Sequence, residues 1–393
     1  MATIRLDEAL HADRAERLAA ALLTGTERRD RVAVDTELAL VGGEMSASVD
    51  PELLAVTANA LADGFDTLLD VLADLLTGAV YRDDEVAGER GRLVERITVA
   101  GSQPSVIARK ALQKHRYGDH PFTREMPEAT DGAGVDPAEF GALHARAVVP
   151  RGSVLVVVGD LAPDDVVSRV DRALGGWASD HAATPLPALP ELTPGPLKLV
   201  ARADAVQSQL RLSAQSIPRT DPGYAALQLA NLAFGGFFSS RLVENIREDK
   251  GYTYHARSYS EFTPSGATLL VETDTASAVT AGALLEIRYE LGKLALKPPT
   301  ADEVATVRQY AIGLLLTSTA SQTGLASQLS ALAPLGLGLD WLVAHPERLA
   351  AVTAEEIAEA GRRFFAPNRF TGVVVGDPAG FADLELLGGV TRA

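Results

Sequence analysis

Residues 235–254 read GGFFSSRLVENIREDKGYTY and concentrate backbone freedom, hydrogen-bond donors and aromatic area in one short stretch. Gly235 and Gly236, followed by Phe237, make a segment that another backbone can approach closely. Leu242, Val243 and Ile246 form an apolar stripe at helical spacing, with Arg241, Glu244, Arg247 and Glu248 facing away from it. Lys250 followed by Gly251 marks the end of that helix. YTYHARSYSE then alternates as a strand, with Tyr252, Tyr254 and Ala256 on one face. Arg247 therefore ends a helix and Tyr254 opens a strand, which can bring the two side chains to one place. A guanidinium fork and a phenol suit the carbonyls and amides of a bound extended peptide. Residue types alone leave a second reading open, with Arg247 paired to Glu244 on a helix surface and Tyr254 a half-buried strand aromatic.

No other stretch offers a catalytic set. The seven histidines (His11, His115, His120, His144, His181, His255 and His345) include no i, i+4 pair for a helical zinc site. His115 and His120 flank a turn in KHRYGDHPF, a spacing better suited to structural hydrogen bonds than to a metal. There is no cysteine, so thiolate ligands and disulfides are excluded. No glycine pattern joins a strand to a helix in the way nucleotide binding demands, and no nucleophile elbow is present. No catalytic residue and no metal ligand is assigned to this chain.

Charge narrows the partners. A net charge of -16 without a basic stripe excludes nucleic acid. The first residues, MATIRLDEALHADRAERL, do not resemble a signal peptide, and no apolar run reaches membrane-spanning length. A cytoplasmic protein with no membrane segment is the expectation.

The elements that would position the 235–254 stretch come from an internal duplication. VDPAEF at 135 recurs as VTAEEI at 352, and PRGSVLVVVGD at 150 recurs as PNRFTGVVVGD at 367, both offset by 217 residues. Asp136 and Thr353 are N-cap candidates, with Glu139 and Glu356 at the capping-box position. Thr300 and Glu303 repeat that pattern. TIRL at 3 matches QLRL at 209, while LKLVARA at 197 has no counterpart. The segment from Asp50 to Leu76 has apolar residues at helical spacing, with Asp50 as cap and Pro51 at the first helical position. Five prolines between Pro185 and Pro196 read as an extended linker.

These signals predict an α+β protein of two homologous domains, each a mostly antiparallel sheet packed with helices. The expected boundaries are 1–178, a linker at 179–196, and 197–393. The N-terminal domain lacks its first strand, which predicts an exposed sheet edge near Thr3 to Leu6.

With these residues in view, GGFFSSRLVENIREDKGYTYHARS resembles the C-terminal signature of the pitrilysin (insulinase) family, in the branch of the processing peptidases. The duplicated domains, the proline linker and both VVVGD segments extend the resemblance over nearly the whole chain. It implies that Arg247 and Tyr254 contact the substrate backbone and that the loop of Gly235, Gly236 and Phe237 assists in handling substrate. Active members carry H-x-x-E-H followed by a hydrophobic-x-Gly-Thr segment, and a further glutamate ligand in an ER-x-x-V-x-x-EI-like segment. Here ERLAAALLTGT supplies Leu23, Gly25 and Thr26. It places Glu16 and Ala20 at the histidine ligands and Ala19 at the general base, and ERGRLVERI places Arg96 at the distal glutamate. Zinc held by three protein ligands is what activates the attacking water, and these four residues cannot assemble that site.

The resemblance thus implies a non-catalytic, substrate-binding subunit of a heterodimeric zinc endopeptidase, inactive alone. Its homologous partner carries H-x-x-E-H and the zinc. The substrates it implies are short or unfolded peptides, or precursors from which a leader peptide is removed. The alternative is a structural or scaffold member with no role in proteolysis.

Overall fold

A computed structural model describes residues 1–5, 12–124, 137–181 and 187–392. Two compact units divide it. The first comprises Met1–Gly101, Arg124–Pro187 and Ser318–Gly338, and the second Ser102–Thr123, Ala188–Thr317 and Leu339–Ala393. The units therefore do not follow chain order. The helix Pro104–Tyr117 belongs to the second unit, where Ala108 and Leu112 pack against Leu270, Val373 and Val375. Part of the proline run, from 182 to 186, lies outside the described residues, as does Asp136. From Pro187 to Pro196 the chain forms neither helix nor strand.

The first unit holds a four-stranded antiparallel sheet. Its strands are β1 (Ala2–Arg5), β2 (Glu44–Val49), β3 (Leu53–Asn59) and β4 (Val154–Leu155), in the order β2-β3-β1-β4. The second unit holds β5 (Leu197–Ala201), β6 (Gln207–Gln215), β7 (Ala256–Thr263), β8 (Gly266–Ala276), β9 (Thr371–Gly376) and β10 (Val390–Arg392). Their order is β10-β5-β9-β6-β8-β7. The two orders superimpose as β2/β7, β3/β8, β1/β6 and β4/β9. Among the described residues the first unit has no counterpart of β5, which pairs in parallel with β9 in the second. An α+β protein with mixed sheets, its N-terminal sheet short of one strand, is what the duplication predicts.

Three expectations are corrected. The segment 50–76 is not one helix: Leu53–Asn59 is a strand, and the helix is Phe65–Gly78. The Asp50 Oδ1 atom accepts from the N–H groups of Glu52 and Leu53, both at 2.8 Å, which closes the turn between β2 and β3 instead of capping a helix. Leu54 and Val56 are buried at alternate positions, a period of two. The open sheet edge is not near Thr3 to Leu6 either. Within β1, Thr3 faces Ala55 on one side and Val154 on the other, so the edge belongs to β4; Leu6 lies outside the described residues. Finally, pairing register separates TIRL from QLRL. Thr3 faces Val154, and the residue facing the equivalent Thr371 is Ser213, not Gln209.

Both capping boxes that fall on described residues are present. The Glu303 carboxylate accepts from Thr300 N–H at 2.7 Å, and the Thr353–Glu356 pair does the same at 2.8 Å. The second core gathers Leu210, Leu227, Phe234, Leu242, Ile246, Leu291 and Phe365 around the strands that carry the 235–254 stretch. The Leu242–Val243–Ile246 stripe is part of it, which fixes one face of that segment.

Candidate functional site

The helix Tyr224–Asn231 continues into a π-helical turn at Leu232–Gly236. A second π-turn, Glu244–Asp249, follows the short helix Arg241–Val243. Such turns widen a helix locally and recur at functional sites. Asn231 anchors the first turn to β7: its Nδ2 donates to Ser258 O at 3.1 Å, and Ser258 Oγ donates to its Oδ1 at 2.7 Å. Arg241 holds the second. It is buried, its Nε and an Nη bond the Glu303 carboxylate at 2.6 and 2.9 Å, and it also donates to the carbonyls of Lys297 and Pro298. Those bonds hold the Glu303 carboxyl at about 2. Arg241 is thus a structural lock, not a member of the outward face.

Gly235 and Gly236 are required by the chain's own packing. A Cβ on Gly235 would stand 2.9 Å from Ser258 Oγ, and one on Gly236 2.9 Å from Leu232 Cδ2. Gly251 has φ of 63°, the left-handed conformation of a helix C-terminus. Residues 252–255 are a connection and not strand, since β7 begins at Ala256. Thr253 sets that connection, its Oγ1 donating to Asp274 O at 2.7 Å and accepting from His255 N–H at 3.0 Å.

The outcome is one pocket of about 260 Å³ that brings together Gly235, Gly236, Phe237, Arg247 and Tyr254. Tyr254 is 95% exposed. The Arg247 guanidinium lies 4.5 Å over the Phe238 ring, and its ion pair is to Glu248 at 3.4 Å, with none to Glu244. Five further residues line the pocket: Val243, His255, Ala256, Phe238, which supports Arg247, and Arg257, which pairs with Glu272 at 2.8 Å. Arg257 was legible only as an outward residue of the strand pattern. No carboxylate lines this pocket, although the chain as a whole is strongly acidic. Its guanidinium and phenol donors are a chemical match for acceptors such as peptide carbonyls.

The other set of positions converges in the first unit. Glu16, Ala19 and Ala20 lie on the helix Ala12–Leu22, and Arg96 on Asp83–Gly101. Arg96 approaches Glu16 at 3.9 Å. Burial pushes the Glu16 carboxyl above its usual range, and the Arg96 charge pulls it back. A zinc ion does not fit here: two of the four positions carry no donor atom and a third brings a cation. Among the described residues no group of three His, Cys, Asp or Glu side chains is arranged to hold a metal. The neighbouring Gly25 and Thr26 keep a structural task. A Cβ at Gly25, whose φ is 133°, would lie 2.5 Å from Arg29 O, and Thr26 Oγ1 donates to Asp74 at 2.8 Å. The histidines in contact with other groups are structural: His144 bonds Tyr81 and Leu76 O, and His115 bonds Thr371.

Two family models match the chain. Residues 16–129 match the model of the insulinase family (peptidase family M16), and residues 135–310 match that of the peptidase M16 inactive domain. An uncharacterized zinc protease of Streptomyces coelicolor is 28% identical over 246 residues, covering 61% of this chain and 53% of that protein. A probable inactive metalloprotease of Bacillus subtilis is 27% identical over 207 residues, covering 49% of this chain and 47% of that protein. The chain thus spans about half the length of these relatives. In fold, it is similar to the peptidase M16 inactive domain from Pseudomonas fluorescens, with a TM-score of 0.86 at 21% identity over 96% of this chain and 92% of that one. A protease from Helicobacter pylori gives 0.84 at 14% identity, over 95% and 93%. With the duplicated sheets, the 235–254 stretch and both matches in place, this chain belongs to the insulinase (peptidase M16) family, as a member whose sequence carries no H-x-x-E-H motif.

Proposed function

We propose that the chain is the non-catalytic, substrate-binding subunit of a heterodimeric zinc endopeptidase. The observation that carries this reading is the acid-free pocket around Arg247 and Tyr254, set in a chain whose zinc-site positions hold Glu16, Ala19, Ala20 and Arg96. The Arg247 fork and the Tyr254 hydroxyl suit the backbone of an extended peptide, which needs no particular side chain. A homologous partner with H-x-x-E-H supplies the zinc and the base. Removal of a leader peptide and turnover of short peptides suit the pocket equally well, and a cytoplasmic setting suits both. Among the described residues no helix is long and apolar enough to cross a membrane.

Mixing the purified chain with a catalytic homologue from the same cell tests this. Co-elution on size exclusion is expected, with hydrolysis of a quenched-fluorescent peptide by the pair and none by this chain alone. Separate elution with no change in the homologue's rate would overturn the proposal.

A further inference from the structure

The π-turn Glu244–Asp249, which presents Arg247, has a second side. There Asn245, Glu286 and Glu290 line a cavity of about 760 Å³ that shares no lining residue with the peptide pocket. Glu286 and Glu290 lie one turn apart on the helix Thr280–Leu296, which also brings Leu285 and Tyr289 to the wall. Glu290 is 1% exposed. Its Oε1 accepts from Asn245 Nδ2 at 2.9 Å and from Lys293 Nζ at 3.0 Å, while its Oε2 has no partner among the described residues. Asn245 Oδ1 is likewise buried and unpartnered. Turning the amide over does not relieve this. Asn245 Nδ2 also donates to Glu286 at 2.9 Å, so the turned oxygen would face two carboxylates.

Two buried acceptors without donors are costly, and a ligand that brings N–H groups relieves both. Five carboxylates and four cations line the cavity, which leaves its wall one negative charge in excess. A monocation is the match in charge. Among the described residues no three His, Cys, Asp or Glu side chains are arranged to hold a metal, so an organic cation fits better. Leu285 and Tyr289, 52% and 57% exposed, offer apolar surface to an alkyl stem. The Tyr289 ring already attracts a cation, with Lys293 Nζ 5.6 Å from its centroid. A planar guanidinium takes that place when Lys293, itself a third exposed, swings into solvent.

We propose that this cavity binds a small alkylguanidinium monocation. Its N–H groups meet Glu290 Oε2 and Asn245 Oδ1, its plane covers the Tyr289 ring, and its stem runs along Leu285. The ligand is separate from any peptide held at Arg247, because the two cavities have no lining residue in common. Asn245 nevertheless belongs to the same π-turn as Arg247, so a cation bound to it stiffens the backbone that carries Arg247.

The probe is butylguanidinium, titrated into the full chain and followed by calorimetry. Saturable one-to-one binding is expected, with none by butylurea, which has nearly the same shape and no charge. Glu290→Gln should weaken binding about tenfold or more, the range of one charged hydrogen bond. If Glu290→Gln does not fold, Glu286→Gln, at 21% exposure, carries the same test with a smaller loss. Glu359→Gln, an exposed carboxylate on another helix, should leave binding unchanged, which separates the site from the general acidity of the chain. Hydrogen exchange at the amides of Glu244–Asp249 should slow when the probe is added to the wild-type chain. Equal binding of butylurea, undiminished binding by the glutamine variants at 286 and 290, or no added protection overturns the proposal. So does tighter binding of N-acetylarginine amide than of butylguanidinium, because the cavity then reads a basic residue of a polypeptide.

Discussion

The helix that carries Glu16 and the π-turn that carries Arg247 meet opposite demands. Around Glu16 stand the methyl groups of Ala19 and Ala20 and the Arg96 cation, and the Glu16 carboxyl is half-buried beside Arg96. Around Arg247 the chain spends packing on keeping groups available. Asn231, Ser258 and the pair of buried Arg241 with Glu303 fix the backbone while the Tyr254 ring stands in the open. Losing a metal site needs only side-chain changes on one face of a helix. On the proposed reading, keeping a peptide contact requires the whole scaffold behind it.

The comparison can be pushed hardest by rebuilding what is missing. Glu16 and Ala20 are four residues apart on one helical face, and Arg96 reaches the same place. The triple variant Glu16→His, Ala20→His, Arg96→Glu should therefore gain stoichiometric zinc by metal analysis, where the wild-type chain carries none. Zinc in the wild-type chain that disappears with Glu16→Ala would contradict the assignment of these positions.

The scaffold of the retained site gives the next largest effect. Arg241→Met leaves Glu303 without its main partner. A fully buried pair broken in this way costs about 3–5 kcal/mol. Glu303 keeps a third of its side chain in solvent, so a loss of about 2–3 kcal/mol is expected from denaturant unfolding. The pH dependence has a definite sign. The carboxyl is lowered to about 2 in the folded state, so the stability it contributes is present above the ordinary carboxylate range near 4.5 and is lost as pH falls toward 2. Arg241→Met should flatten the acid limb between those values. An unchanged limb would mean that the pair does not set this titration.

The smallest effect belongs to the Glu16–Arg96 contact. The Glu16–Arg96 contact is long and Arg96 is largely exposed, so Arg96→Ala should change stability by less than about 1 kcal/mol. Burial raises the Glu16 pKa, an arrangement whose stability is full below the ordinary carboxylate range and is lost as pH rises through the shifted value. Glu16→Gln should therefore be neutral or slightly stabilising at pH 7, as read by thermal melting. A marked destabilisation would give Glu16 a structural task that this account does not assign.

Local chemistry in the sequence foretold much of this architecture. Thr300 and Thr353 announce their helices because a capping box is satisfied within four residues. The valine-rich repeat foretold β9, while in the first unit the strand stops at Val154–Leu155 and Val156–Val158 carry none. What failed depended on partners distant in sequence. Leu53–Asn59 became a strand because Asp50 closes a turn onto β2, and a run of Leu, Ala and Val reads equally well at either period. Arg241 could not be told from Arg247 by spacing, since the carboxylate that buries it, Glu303, lies 62 residues away. Tyr254 looked like a strand residue because alternation continues through a connection that Thr253 shapes by bonding to Asp274. The sheet edge moved from β1 to β4 because pairing order is a tertiary property.

The central claim is that Arg247 and Tyr254 serve a partner's reaction and not their own fold. Arg247→Ala removes a fork whose bonds to a desolvated acceptor are worth roughly 1.5–3 kcal/mol. Tyr254→Phe removes one exposed hydroxyl and keeps the ring. Steady-state kinetics of the reconstituted pair, beside its thermal melt, measures both. Complexes of normal melting temperature whose kcat/KM falls about tenfold or more are the predicted result, each factor of ten corresponding to about 1.4 kcal/mol of transition-state binding. An unchanged kcat/KM in both variants would contradict the claim and favour a scaffold without a part in proteolysis.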